Sequence, residues 1–180
     1  AGLNPAGPLS ERFRVIETEG VIRPWDGLSI PLGLVHPDDA SRFFLEFHDH
    51  LRRQGVDFVK VDGQSAMEEF TEGVLPRGGT MRSFQRGLQA SAATHFGSSL
   101  IHCMSHGTDV AYNMLSTNVF RNSDDYFPKQ PESHGRHVYQ NAINALWTSQ
   151  FCWPDWDMFW SGHSEGEFHA MARAVSGGPV

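Results

Sequence analysis

A cation and a carboxylate stand two residues apart in a strand-like run. Lys60 and Asp62 lie in the β-rich residues 57–62, which Gly63 closes. Because alternate side chains of a strand share a face, the two lie on the same side, about 7 Å apart. A neighbouring cation favours the charged carboxylate that a nucleophile requires. An isolated K-x-D is more often a structural ion pair, and the sequence leaves both interpretations open.

A second cation and carboxylate leave another predicted strand in residues 121–125, RNSDD. In extended geometry Asp125 shares a face with Arg121, whereas Asp124 points the other way and is expected to cap or turn the chain. The alternative is that SDD only forms a turn. Two carboxylates at strand ends that face one another across a barrel mouth are what glycoside hydrolysis needs, one as nucleophile and one as acid/base.

A different chemistry is suggested by Gly162-His-Ser-Glu-Gly166, which matches the G-x-S-x-G nucleophile elbow of serine hydrolases. That fold needs an acid and then a histidine downstream. After Ser164 the chain offers His169 but no aspartate. We therefore expect a glycine-rich loop that leads into the last helix.

The ten histidines raise the question of a metal site. His102, Cys103 and His106 fall within five residues, but neither H-x-H at a strand end nor H-E-x-x-H occurs. We predict no metal ligands, and we expect His102 to be a hydrogen-bonded core residue.

The densest aromatic segment is residues 153–160, WPDWDMFW. It is typical of a core strand. Alternatively, Trp153 and Trp156 flank the apolar face of a sugar while Asp155 or Asp157 accepts hydrogen bonds from its hydroxyls.

The elements that position these residues alternate between helix and strand. Helices are predicted over 37–54, 80–96, 110–115, 134–150 and 165–175, and strands over 57–62, 99–104, 118–121, 153–160 and from 178 onward. Units of some 30 residues are typical of βαβ repeats and a parallel sheet. Residues 1–35, rich in Gly and Pro, are predicted to be a loop. A doubly wound sheet would be complete in 180 residues, whereas a (β/α)8 barrel would be partial.

Composition excludes several classes of function. The chain has 14 Lys and Arg against 21 Asp and Glu, a net charge of −7. Nucleic acid is therefore an unexpected partner. No apolar run approaches the roughly 20 residues of a membrane span, so no membrane association is expected.

Two cysteines form no disulfide framework, which favours a reducing compartment, the cytoplasm. The chain begins without Met and ends on a strand-like SGGPV, so we expect a piece of a longer protein.

Five segments, in order, resemble glycoside hydrolase family 36. They are DFVKVDGQ (57–64), HCMSH with TD (102–109), RNSDDYFP (121–128), PDWDMF (154–159) and FHAMARAVSGGPV (168–180). They are most similar to the branch of seed imbibition proteins, alkaline α-galactosidases and raffinose synthases, from about Leu34 to the end. The resemblance implies an α/β fold, a partial (β/α)8 TIM barrel with about strands four to eight. Residues 1–180 are then the C-terminal portion of a single catalytic barrel, with no second domain.

The resemblance also implies roles for individual residues. The nucleophile falls on Asp62, with Lys60 as a partner of sugar hydroxyls. The acid/base falls on Asp125, which Arg121 orients, and Asp157 lines the subsite. No metal or organic cofactor is implied.

The implied activity is that of a retaining α-galactosidase acting on small α-galactosides of the raffinose family. The wording SDDYFP favours this hydrolase. One alternative is a galactosyltransferase that moves galactose from galactinol to sucrose, and another is an inactive sugar-binding fragment. Missing strands would leave open sheet edges, so we expect the piece to fold poorly alone. The oligomeric state is not predicted.

Overall fold

The computed structural model describes residues 3–23 and 28–179. Its first two strands, which follow a short 3-10 helix (Pro8–Glu11), form an antiparallel pair. Strand β1 (Val15–Arg23) pairs with β2 (Leu28–Val35), in a register that places Val15 opposite Val35. The predicted loop over residues 1–35 is therefore wrong for these two strands. Gly33 lies in β2 because another backbone segment approaches it closely. It forms an antiparallel bridge with Leu3, and an added Cβ would lie 2.9 Å from the carbonyl oxygen of Leu3.

The second sheet has four parallel strands in sequential order. They are β3 (Val59–Val61), β4 (Leu100–His102), β5 (Val119–Arg121) and β6 (Trp153–Asp155). This confirms the α/β fold class. Each strand neighbours the next strand in the chain without a switch point, which is consistent with part of a barrel and not with a doubly wound sheet.

Helices alternate with these strands. They are α1 (Ala40–Arg53), α2 (Ala66–Phe70), α3 (Arg77–Phe96), α4 (Thr108–Ala111), α5 (Pro131–Thr148) and α6 (Gly166–Ser176). Four of the predicted helices are confirmed with shifted ends. The helix predicted over 110–115 is instead the single turn α4, which shares only residues 110 and 111 with it, and α2 is too short to show a period. Within the described residues no helix is both long and apolar enough to cross a bilayer.

Two predicted strands differ from the structure. The run 153–160 is strand only to Asp155, because the amide of Asp157 donates to the side chain of Asp155 (2.9 Å) and Asp157 adopts a left-handed φ of 68°. Residues 178–179 are not a strand, and Val180 lies outside the described residues.

The parallel sheet is curved. Lys60 Nζ of β3 lies 3.9 Å from Asp155 Oδ2 of β6, although two strands separate β3 from β6. In a flat sheet these strands would be about 14 Å apart, beyond the reach of one lysine that must also rise from the sheet. The curvature therefore brings the first and fourth strands toward each other across one face, as in a barrel.

Helices cover the other face. Leu88 and Ala92 of α3 form a buried cluster with Leu100, and Val59 and Val61 pack against it. Helix α1 lies on α3, and the two backbones approach closely at Gly87, where an added Cβ would lie 2.9 Å from Ser41 Cα.

We predict that Gly87→Ala destabilises the protein that carries this chain. Overpacking against backbone costs about 1–3 kcal/mol, which exceeds the gain of at most about 1 kcal/mol from replacing a helical glycine. The control is Gly135→Ala on α5, where an added Cβ meets nothing within 4 Å. Thermal melting should give a lower Tm for the first variant and an unchanged or higher Tm for the second. Equal melting temperatures would contradict the close packing of α1 on α3.

Candidate active site

One residue from each parallel strand or its end forms a row along the carboxyl edge of the sheet. Arg121 pairs directly with Asp155. Cys103 follows β4, and its amide donates to the carbonyl of Val61 (2.9 Å), which places it level with Asp62. Since the register is parallel, the side chains of Asp62, Cys103, Arg121 and Asp155 share one face. Lys60 points to this face from two residues earlier in β3.

Arg121 links the carboxylates of Asp125 and Asp157, which sequence analysis could not connect. Its side chain is buried, and Nη2 lies 2.8 Å from Asp157 Oδ2 and 3.0 Å from Asp125 Oδ1. The same nitrogen donates to the carbonyl of Asp124 (2.9 Å). Asp125 is thus the arginine's partner, as predicted. Asp124 caps the turn, since its Oδ1 accepts the amide of Asp125 (2.9 Å).

Asp157 is the most highly connected carboxylate of the site. It is buried, and its Oδ2 accepts the amide of Tyr126 (2.8 Å) in addition to the bond from Arg121. Its Oδ1 lies 3.9 Å from Lys60 Nζ. The structure therefore joins Lys60, Arg121, Asp125 and Asp157 in one charged network.

Asp62 is exposed at the end of β3, and its Oδ1 accepts the amide of Gly63 (2.8 Å). Its carboxylate lies beside the thiol of Cys103, and Cys103 Sγ lies 3.9 Å from Arg121 Nη1. Burial, followed by the Asp62 carboxylate, raises the pKa of Cys103 to about 11. The thiol is therefore neutral at physiological pH, and it connects Asp62 to the arginine that binds Asp125.

His102 is the hydrogen-bonded core residue that the sequence predicts. It is fully buried, with Nδ1 3.0 Å from Gln64 Oε1 and Nε2 bonded to Thr117. Gln64 Nε2 donates to the carbonyl of Val61 (2.8 Å). Burial lowers the pKa of His102 to about 4, so the ring is neutral. The hydrogen bonds of His102 and Gln64 therefore fix the end of β3, directly before Asp62.

The predicted aromatic residues do not both join this network. Trp153 begins β6 and is paired with Val119, one layer below Asp155 and away from the carboxyl edge. Trp156 is buried beside Asp157, and its carbonyl oxygen lies 3.2 Å from His137 Nε2. The two indoles therefore do not form an open pair of rings.

Sequence analysis missed three contributors. Cys103 was considered only as a metal ligand, and neither Gln64 nor the Tyr126 amide was considered at all. The alternation of residues along aligned strand ends would have placed Cys103 in the row. The role of Gln64 depends on a partner 38 residues away and leaves no local signal.

The serine-hydrolase alternative lacks its geometry. Ser164 is exposed in the glycine-rich turn before α6, the loop that the sequence predicts. His169 is buried, and its Nδ1 lies 2.8 Å from Arg173 Nη1. Over residues 3–23 and 28–179, no group of three or more His, Cys, Asp and Glu side chains converges as a metal-binding set.

We predict that Asp62→Asn makes Cys103 easier to alkylate. Removing the negative charge lowers the pKa of the thiol, so the thiolate fraction at a fixed pH below that pKa rises about tenfold for each unit of decrease. Iodoacetamide labelling followed by mass spectrometry measures the rate at each cysteine. Cys152 is the internal control, because burial alone raises its pKa to about 11. Equal responses of the two cysteines would contradict the contact between Asp62 and Cys103.

Comparison with known proteins identifies the family. The family described as raffinose synthase or seed imbibition protein Sip1 matches residues 25–180. The chain is 43% identical over 150 residues to a probable galactinol–sucrose galactosyltransferase 6 of Arabidopsis thaliana, covering 83% of this chain and 20% of that protein. It is 37% identical over 161 residues to a galactinol–sucrose galactosyltransferase of Pisum sativum, with coverage of 83% and 20%. It is 32% identical over 159 residues to a stachyose synthase of Pisum sativum, with coverage of 83% and 19%.

The chain thus spans about a fifth of the length of these curated relatives. The family match extends over most of its residues and includes all four parallel strands and the charged network at their ends. The chain belongs to the raffinose synthase and seed imbibition protein family.

Proposed function

We propose that the protein carrying this chain transfers a galactosyl group from galactinol to sucrose by the retaining mechanism of glycoside hydrolase family 36. The chain supplies the later strands of its (β/α)8 barrel. The observation that carries the proposal is the bridge that Arg121 makes between Asp125 and Asp157, in the same row of strand ends as Asp62. The relatives named for this transfer support it.

In the first step, a carboxylate oxygen of Asp62 attacks the anomeric carbon of the donor. The bond from that carbon to the leaving oxygen breaks, and Asp125 gives its proton to this oxygen. Asp125 suits this role because its side chain is 69% exposed, so it can reach a substrate while Arg121 holds one of its oxygens.

In the second step, Asp125 acts as a base and takes the proton of a sucrose hydroxyl. The sucrose oxygen attacks the anomeric carbon and releases Asp62, which restores the original configuration at that carbon. Both steps use the same two carboxylates, so no other group has to change its charge.

The remaining charged residues bind the sugar. Lys60 Nζ approaches Asp155 and Asp157 only to 3.9 Å, so its donors are free to bond sugar hydroxyls. Asp157 orients Arg121 and lines the subsite. Trp156, next to it, contributes to the wall of the pocket. Trp153 lies one layer below Asp155, level with Lys60, and is 57% exposed, so its ring is open to a sugar on that face.

Hydrolysis and transfer differ only in whether water or sucrose reaches the galactosyl intermediate. The sequence motif SDDYFP suggests a hydrolase, but the names of the relatives favour transfer. We therefore place transfer first and treat hydrolysis as the outcome that a product assay distinguishes from it.

We predict that the full-length protein, incubated with galactinol and sucrose, accumulates raffinose and not free galactose. Asp125→Ala should slow this transfer by about 10²- to 10⁴-fold, because the leaving oxygen loses its proton donor. The matched control is Asp124→Ala, which removes the neighbouring carboxylate and should cost far less. Chromatography of the sugars gives both results. Galactose as the only product would identify a hydrolase, and a larger loss in the Asp124 variant would overturn the assignment of Asp125.

A further inference from the structure

Arg173 of α6 is a charged side chain in the interior that the proposed chemistry does not use. It is 2% exposed. In the described part of the chain, no carboxylate lies within salt-bridge distance of its guanidinium, so its charge is balanced by hydrogen-bond acceptors and by more distant groups. Burial lowers the pKa of Arg173, and the nearby Asp157 carboxylate opposes this effect. A charge kept in such a place needs a structural or functional reason.

The acceptors of Arg173 are three successive carbonyls. Nη2 donates to Trp156 (2.8 Å) and Met158 (3.2 Å), and Nε donates to Asp157 (3.3 Å). Three consecutive carbonyls converge on one group only if the chain turns sharply. Asp157, the middle residue, has a φ of 68°, in the left-handed region that residues other than glycine seldom adopt. The guanidinium therefore stabilises a strained turn.

Rings surround the guanidinium on its other sides. His169 Nδ1 lies 2.8 Å from Nη1, His137 Nε2 lies 2.9 Å from Nη2, and the ring of Phe159 lies 5.4 Å from the guanidinium carbon. Burial together with the charge of Arg173 lowers the pKa of both histidines, so both rings are neutral and can accept from the arginine. This packing leaves the side chain of Arg173 little freedom to move.

The turn that Arg173 holds directs the carboxylate of Asp157 into the site. There Asp157 bonds Arg121 (2.8 Å) and the amide of Tyr126 (2.8 Å), and Arg121 in turn bonds Asp125 (3.0 Å). A continuous series of short contacts therefore leads from α6 to the acid/base of the proposed reaction.

We propose that Arg173 is a positioning residue of the galactosyl site, which acts by holding the turn of residues 156–158 so that Asp157 fixes Arg121 and Asp125. The inference rests on the proposed function. Lysine keeps the charge but lacks the planar fork that binds several carbonyls at once. The substitution Arg173→Lys is therefore the most informative change.

In the full-length protein, Arg173→Lys should lower kcat/KM for galactinol by about 100-fold, since a displacement of about 1 Å in a positioned group has an effect of this size. In an Asp157→Asn background the same change should cost no more than about twofold, because the residue through which Arg173 acts is already altered. Arg136→Lys on the exposed face of α5 is the matched control and should leave kcat/KM unchanged.

Equal losses in the two backgrounds would overturn the proposal, as would a lower Tm in Arg173→Lys with kcat/KM unchanged. If Arg173→Lys shows no cooperative melt, Arg173→Ala is refolded with methylguanidinium. Recovery of both folding and transfer supports the proposal, while recovery of folding alone, or no recovery, contradicts it. Failure of the proposed function is distinguishable, because the unchanged protein would then show no transfer.

Discussion

The buried guanidinium of Arg121 is the group on which the arrangement of the site depends. It binds Asp125 from the loop after its own strand and Asp157 from the loop after the next strand. Removing one partner of a buried ion pair typically costs about 3–5 kcal/mol, because the other charge stays buried and uncompensated. Separating the two loops would leave a buried charge without its partner, and this free-energy cost keeps the loops together. Asp125 remains exposed beside this buried pair.

The curvature of the sheet is the second constraint. Without it, Lys60 could not approach Asp155 and Asp157 across two intervening strands. The same curvature turns the row of strand ends into a concave edge. Charged groups on or just after the first, third and fourth parallel strands are thereby brought into contact with one another, which a flat sheet of this width would not permit.

Much of this follows from local sequence. The alternation of side chains in a strand places Lys60 with Asp62 and selects Asp125 over Asp124 as the partner of Arg121, and the structure has both relations. Strands β1 and β2 were missed because the glycines and prolines of residues 1–35 were given more weight than the period-two alternation of Leu28, Ile30, Leu32 and Leu34. Trp153 lies level with Lys60 and is exposed, and its contact with a sugar stays a prediction. The link from Arg173 to Asp157 joins a helix to a loop 16 residues away, and no periodicity indicates it.

In the proposed mechanism, transfer and hydrolysis share a covalent intermediate on Asp62, so the identity of the nucleophile is the claim that both versions of the function need. The most direct measurement is inactivation of the full-length protein with a 2-fluorinated galactosyl fluoride, followed by mass-spectrometric mapping of the labelled peptide. The account predicts a single galactosyl adduct on Asp62. An adduct on Asp124 or Ser164, or turnover without any adduct, would contradict it.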